Sequence, residues 1–332
     1  MAGRELFLVL GSNSFSGATF VDHILGQGAA VIGVSRSEEP HAAFLPYRWS
    51  GLDANFRFAR LDINRDLDAI DALVRNERPR YIVNFAAQSM VAESWEHPEH
   101  WFTTNVVSTV RLHERLRQME FLRKYVHVTT PEVYGSTSGF VREDAPFNPS
   151  TPYAVSRAAA DMSLRTYFTQ YGFPVVFTRA ANVFGPGQGL YRIIPRTILS
   201  VRSGRKLQLQ GGGVSERSFI HMRDVSEATS VAAREGRPGE AYHIATDRQV
   251  SIRRVVGMIC ERLGAKFEDC VEMAAERPGN DSAYRLDSTK VRRELGWTER
   301  ISLEQGLEDT IAWVDRFYEA LNTQPQVYLH KP

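Results

Sequence analysis

The 332-residue sequence predicts an α/β fold, one doubly wound parallel sheet followed by a smaller α/β lobe. Three observations carry this reading. Short, continuously apolar runs, the signature of strands buried on both faces, alternate with helix-length segments. A glycine-bearing turn, Gly11 to Gly17, follows the first run. After Arg179 the rhythm breaks into shorter elements punctuated by Gly185-Pro186-Gly187 and Gly211-Gly212-Gly213. Together they describe a Rossmann-type sheet with a C-terminal lobe.

Residues 6–10 (Leu-Phe-Leu-Val-Leu) predict the first strand, ending at Gly11. A helix is predicted to start near Ser16 and run over 17–27, and 30–34 repeats the strand signal. Further strands are predicted at 56–61, 81–85, 125–129 and 174–178, and helices at 66–76, 100–119 and 153–171. Right-handed crossovers stack such strands into one sheet. Ser302-Leu-Glu-Gln305 has capping-box spacing and starts a last helix that runs through Trp313 to about Leu321. Trp297 and Trp313 are expected to fill the core of the second lobe.

Hydrophobic residues make up 43% and charged residues 24% of the chain, enough apolar material for a substantial core. The formal net charge of +1 gives no general reason to seek nucleic acid or an anionic membrane, so the expected partner is a small molecule. The two cysteines, Cys260 and Cys270, lack CxxC spacing and a histidine cluster, which predicts neither a metal site nor a disulfide framework and fits a reducing cytoplasm. Near its start the chain has no apolar run of signal-peptide or membrane-span length.

The turn Gly11-Ser12-Asn13-Ser14-Phe15-Ser16-Gly17 lies between the first strand and first helix, where backbone N–H groups and a helix N-terminus can meet a pyrophosphate. Gly11, Asn13, Ser14, Phe15, Ser16 and Gly17 are therefore candidate dinucleotide-binding residues. The second strand ends in Ser35-Arg36 rather than in a carboxylate that would bond the ribose 2′-hydroxyl. An arginine there suits a 2′-phosphate, so NADP is favoured, while nearby Glu38 and Glu39 keep NAD possible. Asp62-Ile63 are placed to flank adenine, and Phe85-Ala86-Ala87 end the fourth strand with small residues that admit a cofactor.

At the end of the fifth strand, Thr130-Pro131-Glu132 puts a hydroxyl and a carboxylate on the edge where open α/β sheets bind ligands. Tyr153 and Arg157, four apart, share one face of a helix. A fixed cation beside a phenol favours the phenolate, which predicts a general base usable near neutral pH. His221 has no metal-ligand companions and reads as structural.

These motifs, with Thr130-Pro131-Glu132-Val133-Tyr134-Gly135, Pro152-Tyr153, Arg179-Ala-Ala-Asn182 and Gly185-Pro186, resemble the extended short-chain dehydrogenase/reductases that act on nucleotide sugars. Within that family the chain is most similar to the nucleoside-diphosphate-hexose 4,6-dehydratases. Arg277-Pro278-Gly279-Asn280-Asp281 and Glu294-Leu295-Gly296-Trp297 resemble the C-terminal half of dTDP-glucose 4,6-dehydratase. Ala86-Ala87-Gln88-Ser89 and the Val34-Ser35-Arg36 end are closer to GDP-mannose 4,6-dehydratase. Glu132 separates dehydratases from sugar 4-epimerases, which usually have a small or neutral residue there; decarboxylases also keep a glutamate.

The resemblance implies that Tyr153 takes the sugar 4-hydroxyl proton while hydride passes to the nicotinamide, with Thr130 bonded to the same oxygen. Glu132 then removes the carbon 5 proton and protonates the leaving 6-hydroxyl, and hydride returns to carbon 6. It further implies Thr104, Tyr153 and Arg157 as cofactor contacts, Ser89, Glu132, Asn182, Arg192, Arg217 and Arg277 as substrate contacts, and a homodimer built on the 100–119 and 153–171 helices. The expected division is a dinucleotide-binding domain over residues 1–180 plus about 218–248, and a nucleotide-sugar lobe over about 183–217 plus 249–322.

Three departures stand out. Ser14 replaces the family's middle glycine, which predicts an altered approach to the pyrophosphate. Pro131 stands where dTDP-glucose enzymes often have an acid, leaving Glu132 as both base and acid. Arg157 replaces the usual lysine, which with Ser14 keeps a non-catalytic nucleotide-sugar sensor as an alternative beside a related epimerase or decarboxylase.

Overall fold

The computed structural model describes residues 4–137, 139–275 and 285–332. Seven strands, β1 (Leu6–Leu10), β2 (Ala30–Ser35), β3 (Phe56–Arg60), β4 (Tyr81–Asn84), β5 (Lys124–Thr129), β6 (Val175–Ala180) and β7 (Ala241–Ile244), form one sheet in the order β7-β6-β5-β4-β1-β2-β3. Every pairing within it is parallel. The order reverses between β1 and β4, which opens a crevice at the carboxyl ends of the strands.

The apolar run of β1 has the length and composition of a strand with no solvent face, and both faces are covered. Leu8 and Leu10 join one core with Ile70, Leu112 and Leu164, and Phe7 and Val9 join another with Phe20, Val21 and Ile24. Burying each such side chain contributes about 1.5–3 kcal/mol. The helices supplying these residues are α1 (Phe15–Gly26), α2 (Leu67–Glu77), α3 (Thr109–Leu116) and α4 (Pro152–Tyr171). Beyond β6 come α5 (Ile193–Arg202), α6 (Met222–Glu235), α7 (Ile252–Arg262) and α8 (Leu303–Arg316). α6 returns to pack on α1, whereas Leu199, Ile259, Leu307 and Val314 from α5, α7 and α8 build a third core.

Both tryptophans are buried and bonded: Trp297 Nε1 donates to the Asp224 carbonyl at 3.0 Å, and Trp313 Nε1 to the Ala43 carbonyl at 2.7 Å. Ser302 caps α8 through Gln305 N–H at 3.1 Å, but the Gln305 side chain turns to Asp309 and leaves the capping box half made. α8 ends at Arg316; Phe317, at φ −115°, separates it from a last turn, Tyr318–Asn322.

The helix expected at 100–119 is broken in a specific way. An α-helical turn, Pro98–Phe102, runs into a π-helical turn, Thr103–Ser108, before α3. Thr109 Oγ1 donates to the Thr104 carbonyl five residues back at 3.0 Å, which suits the wider turn. The seventh strand carries no period-two or apolar-run signal because His243 sits in it. That ring is buried between Tyr134, whose hydroxyl donates to Nε2 at 2.8 Å, and the Val141 carbonyl, which accepts from Nδ1 at 3.1 Å.

Burial holds several imidazoles neutral: His113 and His243 are pushed down to about 3 and His221 to about 4. The unfolded chain takes up these protons near pH 6.5, so between pH 6.5 and about 4 it binds more protons than the folded one and stability falls as pH falls. Urea unfolding at pH 7 and pH 5 should show a loss of roughly 2 kcal/mol per buried ring at the lower pH. Equal midpoints at both pH values would contradict neutral burial.

Candidate active site

β1 leaves the sheet at Gly11 with φ +78°. A Cβ there would lie 2.6 Å from the Ala86 nitrogen, and one on Gly17 would lie 2.2 Å from the Gly11 carbonyl oxygen. The turn is thus pressed against both β4 and α1 at positions only glycine can fill. Ser14 is different. Its φ of −73° is ordinary for any residue, and its Oγ accepts from Gly17 N–H at 3.0 Å while donating to the Gly11 carbonyl at 2.7 Å. The serine needs no glycine conformation; it caps α1 and pins the turn. Phe15 and Ser16 open α1, whose first turn carries no acidic residue to offset its positive end.

Asn13 joins the turn to the end of β2: its N–H donates to Ser35 Oγ at 3.0 Å and its amide to the Ser37 and Glu38 carbonyls. Asp62 Oδ1 accepts from Asn64 N–H, Ile63 is buried, and Asn64 Nδ2 reaches Thr104 Oγ1 at 3.1 Å, so Thr104 stands beside the loop after β3. Phe85, Ala86 and Ala87 leave β4 alongside Gly11, with Ala86 N–H held by Asn84 Oδ1 at 2.9 Å. These loops rim one crevice that fits a dinucleotide: a glycine cradle, an uncompensated helix N-terminus, and the buried Arg157 Nε, which has no hydrogen-bond partner among the described residues.

Thr130 is extended and accepts from Glu132 N–H at 3.3 Å, starting the 3₁₀ turn Pro131–Tyr134 that carries Glu132 to the crevice edge. Thr151 caps α4 through Ala154 N–H at 3.1 Å, so Tyr153 lies in the first turn, where Ser94 Oγ holds its N–H at 3.2 Å. Arg157, one turn on, is 4% exposed and donates to the Val128 carbonyl on β5. The Tyr153 hydroxyl hydrogen-bonds the Thr130 side chain and lies within reach of the charges on Arg157, Glu132 and Arg192. The expected phenolate preference is corrected here. Burial raises the Tyr153 phenol more than Arg157 pulls it down, Glu132 adds to the rise, and the net direction is upward.

Of the substrate candidates, Arg192 is brought to Tyr153; it is exposed at the position just before α5, with its guanidinium over the Tyr191 ring at 5.3 Å. Ser89 is exposed, and its carbonyl accepts from Trp101 Nε1 at 3.1 Å. Asn182 and Arg217 stand on adjoining segments, since Asn182 pairs with Phe219. Arg277 lies outside the described residues. His221 caps α6 and packs edge-on against Phe184, a structural position. Arg36 does not stand open: its Nη1 and Nη2 donate to the main-chain oxygens of Pro332 and Lys331 at 2.5 and 3.0 Å. Among the described residues no group of three or more His, Cys, Asp or Glu could hold a metal ion, and no helix is long and apolar enough to cross a membrane.

Two supporting groups carry no motif of their own. Asn105, on the π turn, accepts from Gln88 N–H at 2.8 Å and donates to the Gln88 carbonyl and Ser156 Oγ, clamping the loop after β4 to α4. Asp161 Oδ2 accepts from Arg179 Nη2 at 2.7 Å and Thr129 Oγ1 at 3.1 Å, and Arg179 Nη1 donates to the Tyr134 hydroxyl. Asp161 follows Tyr153 and Arg157 at four-residue intervals, a stripe visible in the sequence; nothing in the spacing around Asn105 marks it.

Fold and site define a dinucleotide-dependent enzyme of the short-chain dehydrogenase/reductase class. The sequence profile of the GDP-mannose 4,6 dehydratase family matches residues 8–310. A probable dTDP-glucose 4,6-dehydratase of Sinorhizobium fredii is 32% identical over 324 residues, covering 92% of this chain and 91% of that one. A trifunctional UDP-glucose 4,6-dehydratase/3,5-epimerase/reductase of Arabidopsis thaliana is 35% identical over 263 residues, 78% of this chain; the match spans 39% of the plant protein's length. The crystal structure of the dTDP-glucose 4,6-dehydratase DesIV of Streptomyces venezuelae, with NAD bound, superposes with a TM-score of 0.86 at 31% identity, covering 95% of this chain and 98% of that one. The chain belongs to the GDP-mannose 4,6 dehydratase family, the nucleoside-diphosphate-sugar 4,6-dehydratases among the extended short-chain dehydrogenase/reductases.

Because Arg157 is the largest influence lowering the Tyr153 pKa, Arg157→Met should move phenol ionisation to higher pH. An ultraviolet difference titration, with Tyr153→Phe as the blank, reads this directly; an unmoved or lowered midpoint would rule out the electrostatic coupling.

Proposed function

We propose that this protein is a nucleoside-diphosphate-hexose 4,6-dehydratase that forms a 4-keto-6-deoxy sugar nucleotide. The observation that carries the reading is convergence: the Thr130 hydroxyl, the Glu132 carboxylate and the Arg157 and Arg192 guanidiniums all act on the one Tyr153 phenol. When bound in its oxidised form, a nicotinamide dinucleotide would supply the hydride acceptor for carbon 4 of the sugar and the hydride donor for carbon 6. Gly11, Asn13, Ser14, Phe15, Ser16, Gly17, Ser35, Asp62, Ile63, Phe85, Ala86, Ala87 and Thr104 would hold it.

Tyr153 removes the 4-hydroxyl proton once ionised, and Thr130 bonds the same oxygen. The 4-ketone acidifies the proton at carbon 5. Glu132 takes that proton and protonates the departing 6-hydroxyl, so water leaves; once hydride has returned to carbon 6, carbon 5 takes up a proton that originates in solvent. Arg157 supplies charge and hydrogen bonds without releasing a proton. Arg192, Arg217 and Arg277 suit a diphosphate, with Ser89 and Asn182 as polar contacts.

Arg36, at a strand end without a carboxylate, supports NADP over NAD in charge; its bonds to Lys331 and Pro332 count against that preference as the chain stands. Residues 1–180 with 218–248 would form the dinucleotide unit, and 183–217 with 249–322 the sugar lobe. Two free cysteines suit a cytoplasmic setting. Trp95, Val107, Val155 and Met162 leave apolar surface exposed on and beside the 98–116 rod and α4, which supports a homodimer through those helices.

Purified protein given NAD(P)+ and a panel of nucleoside-diphosphate hexoses in deuterated water should yield a 4-keto product labelled at carbon 5. Glu132→Gln should slow elimination by about 100- to 10,000-fold while some 4-oxidation persists. Binding of every sugar without turnover would favour the sensor reading, and conversion without loss of water an epimerase. Met162→Glu should shift the sedimentation coefficient from dimer toward monomer; an unchanged value would place the interface elsewhere.

A further inference from the structure

The last ten residues run back over the crevice. Beyond Asn322 the chain has no regular structure, and Gln324, Gln326, Tyr328 and His330 are partly covered whereas Val327 and Leu329 are 64% and 60% exposed. This period of two is that of an extended strap laid on a surface by one edge. Its anchors are specific. Tyr328 meets Tyr191 edge to face at 5.5 Å, and His330 stacks on the fully buried Trp101 at 4.9 Å and 7°, with its Nε2 2.9 Å from His100 Nδ1.

What the strap holds is the specificity position. The Lys331 carbonyl accepts from both Gln88 Nε2 at 2.6 Å and Arg36 Nη2 at 3.0 Å, and the Pro332 oxygen accepts from Arg36 Nη1 at 2.5 Å. The two outer nitrogens that would pair with a phosphate are thus spent on main-chain oxygens. The neighbouring carboxylates do not decide the matter, because Glu38 is paired with Arg60 at 2.8 Å and Glu39 with Arg48 at 2.8 Å.

Resting on the dinucleotide reading of the crevice, we propose that Tyr328–Pro332 is a cofactor-specificity strap. It keeps the Arg36 guanidinium on its own main-chain oxygens and so withholds it from the 2′-phosphate of NADP. NAD, with only a hydroxyl at that position, binds with the strap docked; NADP binds well only when the strap is displaced.

Calorimetric titration of NAD and NADP into the full chain and into a chain ending at Gln326 tests this. The shortened chain should bind NADP about tenfold or more tightly than the full chain does, with NAD changed by less than about threefold. Adding Arg36→Ala to the shortened chain should erase the gain. His330→Ala in the full chain loosens the strap without removing it and should give part of the same selective gain, an independent check should the shortened chain fold poorly. Equal tightening of both dinucleotides, equal weakening, or no change would overturn the strap's role in specificity while leaving the dinucleotide reading intact. Absence of NAD and NADP binding to every form would overturn that reading as well.

Discussion

The ion pair between Asp161 and Arg179 is the constraint around which the reacting half of the crevice is built. Neither side chain has exposed surface, and an isolated charge at such a place would be too costly to keep. It is kept because its partners are arranged: Thr129 on β5, Arg179 on β6, Tyr134 on the 3₁₀ turn and, through Tyr134, His243 on β7. Asp161 itself belongs to α4, the helix that carries Tyr153. One buried charge pair therefore sets strand ends, turn and helix in mutual register. The positions of Thr130, Glu132 and Tyr153 follow from that register rather than from any bond among the three alone.

The second determinant is the balance at Tyr153. Burial opposes ionisation, and the opposing cation is an arginine anchored on the Val128 carbonyl. A guanidinium held this way is a fixed charge. It cannot hand a proton onward as an ammonium can, so a proton taken up by Tyr153 must leave by the substrate or by solvent.

Much of this was legible in the sequence, for reasons that can be stated residue by residue. Strands buried on both faces cannot be polar, which is why 6–10 and 30–34 stand out. Family membership was legible where motifs sit at strand ends, as with the turn at Gly11 to Gly17 and Thr130-Pro131-Glu132. Three features were hidden. β7 was masked by His243, whose polarity is satisfied only by Tyr134 and Val141, residues about a hundred positions away. The direction of the Tyr153 shift depends on burial depth, which spacing does not reveal. The occupation of Arg36 depends on a segment almost three hundred residues downstream.

The π turn at Thr103–Ser108 has a consequence for how length can vary in this chain. Its wider winding buries the consecutive residues Thr104 and Asn105 together, at 6% and 1% exposure, where a regular helix would set neighbours about 100° apart. The turn thus takes in one residue more than an even α-helical rod would hold between the same two flanks. Deleting a single residue here would restore an even winding with Pro98–Phe102 and Thr109–Leu116 in nearly the same relative orientation, at the cost of one of the two neighbouring buried residues. Surface loops can absorb gains and losses of residues; this interior stretch, though it looks like unremarkable helix on paper, has a fixed count.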